Sequence, residues 1–227
     1  MKKLLSLTCL LLLLGGGVLF GQGGAPADVG FYRIVNVVAA GEGNLNLTIE
    51  GKDYWPQGFK LGQRTGAIGM KAGKKEFVLR KEGCKGAKRS LDVVAGETQT
   101  FVCFAEPVRD EDGNIIDWEL RVARLRQHTP EKGIFLTIVS FCEDEQLGLE
   151  VSERAGGAEK RVLVPKMKTT RVRMDGGLVA AEIKHRGRIV TNVMAEKAGN
   201  YVVMLYNGAD GARKGTVFYD PKFVLAN

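Results

Sequence analysis

Apolar and polar residues alternate along most of the chain, in short runs that glycine-rich turns separate. The segment TRVRM is typical, because Arg171 and Arg173 alternate there with Val172 and Met174. Similar runs recur throughout: FYRIVNVV, LNLTIEG, QTFVCFA, WELRVARL, IFLTIVSF, GRIVTNVM and YVVMLYN. A period of two puts neighbouring side chains on opposite faces of a strand. The pattern predicts an all-β protein of immunoglobulin-like antiparallel β-sandwiches.

The chain also contains a weak internal duplication. Two matches have offsets of 88 and 89: YRIVNVV (32–38) with LRVARLR (120–126), and NLTIE (46–50) with FLTIV (135–139). Three later matches have offsets of 102 or 103: Gly73 with Gly176, Ala95-Gly96 with Ala198-Gly199, and TFVCF (100–104) with VVMLY (202–206). The increase from 89 to 103 predicts about fourteen additional residues in the second copy, as a hairpin or loop near 142–160.

The N-terminal segment has the order of a secretory signal. Lys2 and Lys3 precede the apolar run 4–14, and Ala25-Pro26-Ala27 follows as a cleavage site. This order predicts a signal peptide over 1–27, whose apolar part is too short to span a bilayer. We therefore expect a secreted protein of the periplasm or the cell surface.

The remaining chain divides at a polar, acidic segment. Residues 28–108 are predicted to form the first β-sandwich domain, 109–118 a linker with an Asp-Gly turn, and 119–227 the second β-sandwich domain. No segment after the leader has the roughly 20 apolar residues of a transmembrane helix.

The order of motifs in the first half resembles that of a known family. RIVN is followed by LTIEGK, LGQRTG, KAGKKEFVLR and LDVVAGETQTFV. This order is similar to that of the bacterial secreted β-sandwich family called domain of unknown function 4397, more closely over 31–105 than over 119–207. The resemblance implies a β-sandwich fold and an extracytoplasmic location, and it implies no catalytic residues. The chain reads NLTIEG where family members read dvyvdG, and its second copy lacks that glycine.

The net charge limits the kinds of binding partner to expect, and the cysteine content limits the possible disulfides. The net charge is +7, and removal of the two lysines of the leader leaves +5. This mild excess favours anionic envelope polymers over specific nucleic-acid binding. Cys84, Cys103 and Cys142 remain after cleavage, and Cys84–Cys103 closes the shortest disulfide loop, with three free thiols as the alternative. No pair has the spacing of a zinc site.

The segment YWPQGFKLGQRTGAIGMKAG contains the first candidate binding residues. Tyr54 and Trp55 follow a turn signal, and Pro56 favours an extended conformation at Trp55. Exposed aromatic side chains stack on sugars or on partner proteins. The competing interpretation is that Trp55 and Phe59 cover an open end of the core, as large aromatic residues usually do.

Basic residues on two predicted edges form the second candidate site. They are Arg64, Lys71, Lys74 and Lys75 in the first copy, and Arg171 and Arg173 in the second. Such stripes attract an acidic polysaccharide or another polyanion. Alternatively, they are solvated edges that charges protect from aggregation.

Residues for catalysis or metal binding are sparse. The two histidines are His128, before a turn, and His185, in the strand and cationic turn IKHRGR, without a metal-binding spacing. Asp110, Asp112 and Asn114 alternate as an EF-hand loop begins, but Gly113 precedes the third of them. We therefore expect no enzymatic activity, no metal and no cofactor.

Three functional hypotheses follow from these features. The first is a non-enzymatic envelope module that binds an anionic surface polysaccharide or another envelope protein through loops and basic edge strands. The second is a purely structural accessory domain. The third is a hydrolase that acts on envelope material, with His128 or His185 as its histidine acid or base.

Overall fold

The computed structural model describes residues 28–125, 132–154, 159–175 and 179–220. These residues form sixteen β-strands and no helix, which confirms the all-β prediction. The strands are β1 (Val29–Asn36), β2 (Glu42–Ile49), β3 (Lys52–Asp53), β4 (Ile68–Lys71), β5 (Gly73–Glu82), β6 (Ala87–Val93), β7 (Thr98–Arg109), β8 (Ile115–Leu125), β9 (Ile134–Ser140), β10 (Gln146–Glu153), β11 (Lys160–Pro165), β12 (Thr169–Met174), β13 (Val179–His185), β14 (Arg188–Ala195), β15 (Gly199–Asn207) and β16 (Arg213–Tyr219). The predicted signal peptide, 1–27, lies outside the described residues.

The strands form two sandwiches of two four-stranded sheets each. The first sandwich pairs an outer sheet, β3-β2-β5-β6, with an inner sheet, β4-β1-β7-β8. The second pairs an outer sheet, β11-β10-β13-β14, with an inner sheet, β12-β9-β15-β16. Most neighbouring strands are antiparallel, but each inner sheet has a parallel pair, β1 with β7 and β9 with β15. The identical strand orders confirm two related β-sandwich domains.

Each sandwich has its own apolar core. In the first, Ile34 of the inner sheet and Leu79 of the outer sheet belong to one buried cluster. In the second, Ile138 and Ile183 have the corresponding places. Full burial of such a side chain stabilises the fold by about 1.5–3 kcal/mol. The alternation in the sequence therefore places every second residue of these strands in a core.

The opposite faces of the two inner sheets pack against each other. A third apolar cluster joins residues of both sandwiches: Val35, Val37, Val102, Phe104 and Leu125 from the first, and Val139, Val202, Met204, Tyr206 and Phe218 from the second. The inner sheets are therefore apolar on both faces, like the covered sheets of layered folds. The order of layers is outer, inner, inner, outer, with an apolar cluster between each pair of neighbouring layers.

Polar and aromatic contacts also cross between the sandwiches. The guanidinium of Arg33 forms a buried ion pair with Asp220, with Nη1 and Oδ1 3.3 Å apart. The same guanidinium lies 4.7 Å from the ring centroid of Phe218. Elsewhere in the contact, the rings of Phe104 and Phe141 have centroids 5.2 Å apart.

The predicted linker, 109–118, instead forms part of the first sandwich. Strands β7 and β8 pair from Thr100 with Leu125 to Arg109 with Ile115. The amide of Asp110 donates to the carbonyl oxygen of Asn114 at 3.0 Å, which closes a tight turn. The predicted Asp-Gly turn is therefore present. However, the residues on either side of it pair with each other as a β-hairpin of the first sandwich and do not connect two domains.

The duplication is present, but its first half was aligned wrongly. Strand β9 is the counterpart of β1, because each lies parallel to the strand that follows in its inner sheet. Asn36 accepts a hydrogen bond from the amide of Val38, and Ser140 accepts one from the amide of Cys142. The true offset is 104, from 36 to 140, instead of 88 or 89. Many short runs of alternating apolar and polar residues resemble one another, which explains the error.

The corrected alignment removes the predicted insertion near 142–160. That segment contains β10, whose Leu149 and Val151 belong to the core of the second sandwich. They correspond to Leu45 and Leu47 of β2 in the first core. The matched glycine at 176 lies outside the described residues.

The cysteines of the described residues are free thiols. Cys103 and Cys142 are buried, Cys84 is half-buried, and the Cys84–Cys103 disulfide considered from the sequence is not formed. Burial raises the pKa of Cys103 to about 12. Because the thiolate is the reactive form, burial protects this sulfur from oxidation and exchange.

No helix long and apolar enough to cross a membrane occurs within the part of the chain that the structure describes.

Candidate anion-binding cleft

The predicted aromatic site is mostly part of the core. The ring of Trp55 lies 4.7 Å from that of Phe59 and packs against the first apolar core, as the competing interpretation expected. Tyr54 is 40% exposed, and the ammonium of Lys52 lies 4.9 Å from its ring centroid. One exposed ring beside a half-buried one does not make an extended stacking surface.

The predicted basic residues of the first copy lie at one end of the first sandwich or along its edge. Lys71 is exposed and approaches Asp28 at 4.0 Å. Lys74 and Lys75 follow at the start of β5, where they pair with Asp92 and Leu91 of β6. Lys71 and Lys74 are exposed, and Lys75 is half-buried.

The predicted arginines lie against aromatic rings or apart from the lysines. The guanidinium of Arg64 is 5.6 Å from the ring centroid of Phe218, and that of Arg171 is 4.0 Å from the ring of Phe135. Arg173 is exposed on β12, the edge strand of the other inner sheet. The structure therefore does not bring the predicted residues together as one site.

A different group of cations surrounds a cleft at one end of the second sandwich. We call it the cationic cleft. Its volume is about 560 Å³, and its lining comprises Asp144, His185, Arg186, Arg188, Ile189, Val190, Gly211, Ala212 and Arg213. The β13–β14 turn provides one wall, and the β15–β16 turn provides the other. Four basic side chains and one carboxylate thus face the same space.

The β13–β14 turn fixes the position of two arginines. His185 pairs with Arg188 across a two-residue turn, and both central residues have positive φ, 51° at Arg186 and 72° at Gly187. This is the geometry of a type I′ hairpin turn, which normally favours Asn or Gly at its first central position. An arginine there costs about 1 kcal/mol in backbone strain. Such strain is a recognised mark of functional positions.

Hydrogen bonds hold Arg213 in the opposite wall. Its Nη2 donates to Oδ2 of Asp144 at 2.5 Å, and its Nη1 donates to Oδ1 of Asn207 at 2.6 Å. Asn207 in turn donates from Nδ2 to Oε1 of Glu143 at 3.3 Å. The single carboxylate of the cleft is therefore committed to Arg213.

The two arginines of the β13–β14 turn have no carboxylate partner among the described residues. Neither Arg186 nor Arg188 has an ion pair with any residue that the structure describes. The ring of His185 is fixed by Nδ1, which lies 2.9 Å from the carbonyl oxygen of Gly148. Because a carbonyl only accepts, Nδ1 carries the hydrogen. The cleft therefore combines a fixed arginine with two uncompensated guanidinium groups.

The sequence contained a signal for this site. The segment IKHRGR was interpreted as a strand with a cationic turn, which is correct. Arg213 and Asp144 lie far from it in sequence, and only the packing of the turns brings them together. His128, the other histidine, lies outside the described residues.

Metal-binding geometry is not found in the described ranges. They contain no group of three or more His, Cys, Asp or Glu side chains able to hold a metal ion. The carboxylate of Asp110 instead accepts hydrogen bonds from the amide and the side chain of Asn114. Those bonds lower the pKa of Asp110.

No model of a known protein family matches the chain, and no curated protein matches it closely enough to count as a relative. The resemblance to domain of unknown function 4397 accordingly stays a prediction.

Proposed function

We propose that this chain is a non-enzymatic module of the cell envelope that binds an acidic surface polymer through the cationic cleft. The observation that supports this most is the pair Arg186 and Arg188, which face the cleft without a carboxylate partner among the described residues. Other exposed cations differ in this respect: the ammonium of Lys88, for example, lies 2.7 Å from the carboxylate of Glu76. A cleft that gathers uncompensated guanidinium groups favours an anionic ligand.

The chemistry of the cleft suits carboxylate, sulfate or phosphate groups. A guanidinium offers a planar fork of N–H donors that matches two oxygens of such a group. Charged hydrogen bonds of this kind are stronger than neutral ones, and apolar walls reduce their screening by water. Ile189 and Val190 provide that apolar surface beside the arginines. The ligand group is therefore expected to lie between the two turns.

The dimensions favour a small segment of a polymer. A volume of about 560 Å³ is typical of sites that hold one drug-sized ligand or a few repeating units. Such a segment gains moderate affinity by itself, and repeated engagement along a polymer increases the overall affinity. The proposal therefore predicts weak binding of single units and stronger binding of chains.

Reversal of the two unpaired charges is the first test of this proposal. We expect the double variant Arg186→Glu/Arg188→Glu to bind hyaluronan fragments and polyglycerol phosphate at least about tenfold more weakly than the parent protein, because two charged hydrogen bonds are lost. The dependence of affinity on salt should also decrease. Isothermal titration calorimetry at two salt concentrations measures both effects.

A matched control has the same change in charge at another place. Lys71→Glu/Lys74→Glu alters two exposed lysines of the predicted basic edge and lowers the net charge equally. We expect it to retain the affinity of the parent protein within about twofold, since screening weakens distant charges. Equal losses in the two double variants would show that net charge, and no particular site, determines binding.

A second variant separates binding from folding. Arg186→Gly removes one guanidinium and also relieves the positive φ of 51°. The stability of the protein should stay the same or rise by up to about 1 kcal/mol. Weaker binding by a protein of unchanged or higher stability therefore identifies Arg186 as a ligand contact, whereas unchanged binding removes it from the site.

A further inference from the structure

A second cleft adjoins the cationic cleft where the two sandwiches meet. We call it the aromatic cleft. Its volume is about 200 Å³, and residues of both sandwiches line it, among them Ala39 and Trp118 from the first and Glu143, Asn207 and Gly211 from the second. Gly211 also lines the cationic cleft. The two clefts are therefore neighbours that share one turn of the second sandwich.

Trp118 is the largest side chain among the residues that line the aromatic cleft. It is half-buried on β8, opposite Pro107 of the hairpin. Its carbonyl oxygen accepts a hydrogen bond from the amide of Lys85 at 2.7 Å, which fixes the backbone. Among the other residues that line the cleft, Ala39, Ala40, Ala105, Gly208 and Ala209 are small, whereas Val37 and Phe141 are larger apolar residues. Small neighbours leave space beside an indole ring, which is the requirement for stacking.

Polar groups of the aromatic cleft differ from those of its neighbour. Glu143 is its carboxylate, and it accepts from the amide of Asn207. Asn207 also accepts from Arg213, so the chain of hydrogen bonds Glu143–Asn207–Arg213–Asp144 connects the two clefts. Hydrogen-bonded partners orient these side chains before any ligand arrives.

The charges of the two clefts favour two different parts of one ligand. The carboxylate of Glu143 repels an anionic group in the aromatic cleft, but it accepts hydrogen bonds from hydroxyl groups. The guanidinium groups of Arg186 and Arg188 attract an anionic group in the cationic cleft. The arrangement therefore suits a ligand with an uncharged, hydroxyl-rich ring next to an acidic group.

We infer that the aromatic cleft is a sugar-stacking subsite, and that the ligand is a glycan in which uncharged and acidic sugars are neighbours. The apolar face of the uncharged sugar lies against the indole of Trp118, and its hydroxyl groups bond with Glu143 and Asn207. The acidic group of the next sugar lies between Arg186 and Arg188. This inference rests on the proposed function, because it assigns the ligand class of the same site.

The test compares two polyanions of different chemistry. Hyaluronan tetrasaccharide alternates uncharged and acidic sugars, whereas a short polyglutamate has carboxylates without sugar rings. We expect Trp118→Ala to bind hyaluronan tetrasaccharide about five- to tenfold more weakly, since it loses the aromatic contact. Its affinity for polyglutamate should stay within about twofold of that of the parent protein. Trp118→Phe retains an aromatic face and should recover most of the affinity for hyaluronan tetrasaccharide.

The charge-reversed variant keeps the two proposals separable. Arg186→Glu/Arg188→Glu should weaken binding of both probes. If it does so while Trp118→Ala binds hyaluronan tetrasaccharide like the parent protein, the sugar subsite is refuted and the proposed function survives. If Trp118→Ala weakens both probes equally, or only together with a lower unfolding temperature, Trp118 has a structural role and the subsite is again refuted. If neither variant alters binding of either probe, both proposals fail.

Discussion

Replacement of Phe77 by alanine is expected to lower the free energy of unfolding by about 3–5 kcal/mol. The side chain is 1% exposed in the core of the first sandwich. Its ring meets those of Tyr32 and Phe101 edge to face, with centroids 6.1 and 5.5 Å away. The loss therefore combines the lost burial of a phenyl ring with the cost of the cavity that remains, since a close-packed core relaxes only partially.

Urea unfolding of the parent protein and the variant measures this effect. Phe77→Leu is the matched control, because it retains most of the apolar volume and is expected to lose less than half as much as the alanine variant. A loss below about 1 kcal/mol for Phe77→Ala would contradict the packing of the first core described above. Most domains have only about 5–15 kcal/mol of stability, so the predicted loss is a large share of the total.

Replacement of Asp220 by alanine should cost a similar amount, about 3–5 kcal/mol, for a different reason. Arg33 and Asp220 have side chains that are only 6% and 3% exposed. Burial lowers the pKa of Arg33, and the carboxylate of Asp220 acts in the opposite direction. Removal of the carboxylate leaves a buried positive charge between the two inner sheets without its main compensation.

A double variant distinguishes an unpaired charge from lost packing. Arg33→Met/Asp220→Leu replaces both members of the pair with apolar side chains, and such exchanges are often neutral or stabilising. We expect it to recover most of the stability that Asp220→Ala loses, as measured by thermal and urea unfolding. If the double variant is as unstable as Asp220→Ala, the electrostatic explanation is wrong and the contact acts through its shape alone.

The alternating pattern of the sequence predicted the strands better than it predicted how the strands correspond between the two copies and how the sheets pack. Alternation in TRVRM and in NLTI places Val172 and Leu47 in their cores, as the period of two requires. The same pattern could not reveal that β9 corresponds to β1, because every half-buried strand alternates in the same way. Nor did it reveal that each inner sheet is covered on both faces, by its own outer sheet and by the other inner sheet. The continuous apolar run of β15 was the available signal for that.

The candidate site was less predictable from the sequence than the fold. The cationic turn around Arg186 and Arg188 is visible in the sequence as a pattern, and so are the lysines near Lys74. The sequence alone favours the lysines as the binding residues. The arginines and the lysines differ in their three-dimensional surroundings. The β15–β16 turn lies beside the β13–β14 turn and encloses a cleft, whereas Lys74 and Lys75 lie at the start of β5, where neither of the two clefts includes them.

The two copies differ at the turns that form the cleft. The β7–β8 turn of the first sandwich, which corresponds to the β15–β16 turn, contains Asp110, Glu111 and Asp112. The β5–β6 turn, which corresponds to the β13–β14 turn, contains Cys84 and Lys85 and no arginine. The first sandwich therefore has an acidic turn where the second has part of the cationic cleft, and the proposed binding belongs to the second copy.

Mapping of the bound ligand by amide chemical shifts is the most direct test of the proposed site. Hyaluronan tetrasaccharide is titrated into isotope-labelled protein, and shift changes are recorded for every assigned amide. We expect the largest changes at the two turns of the cationic cleft, with Gly187, Arg188 and Gly211 foremost. Changes concentrated instead between Tyr54 and Lys75 would contradict the cleft and restore the basic edge that the sequence suggested.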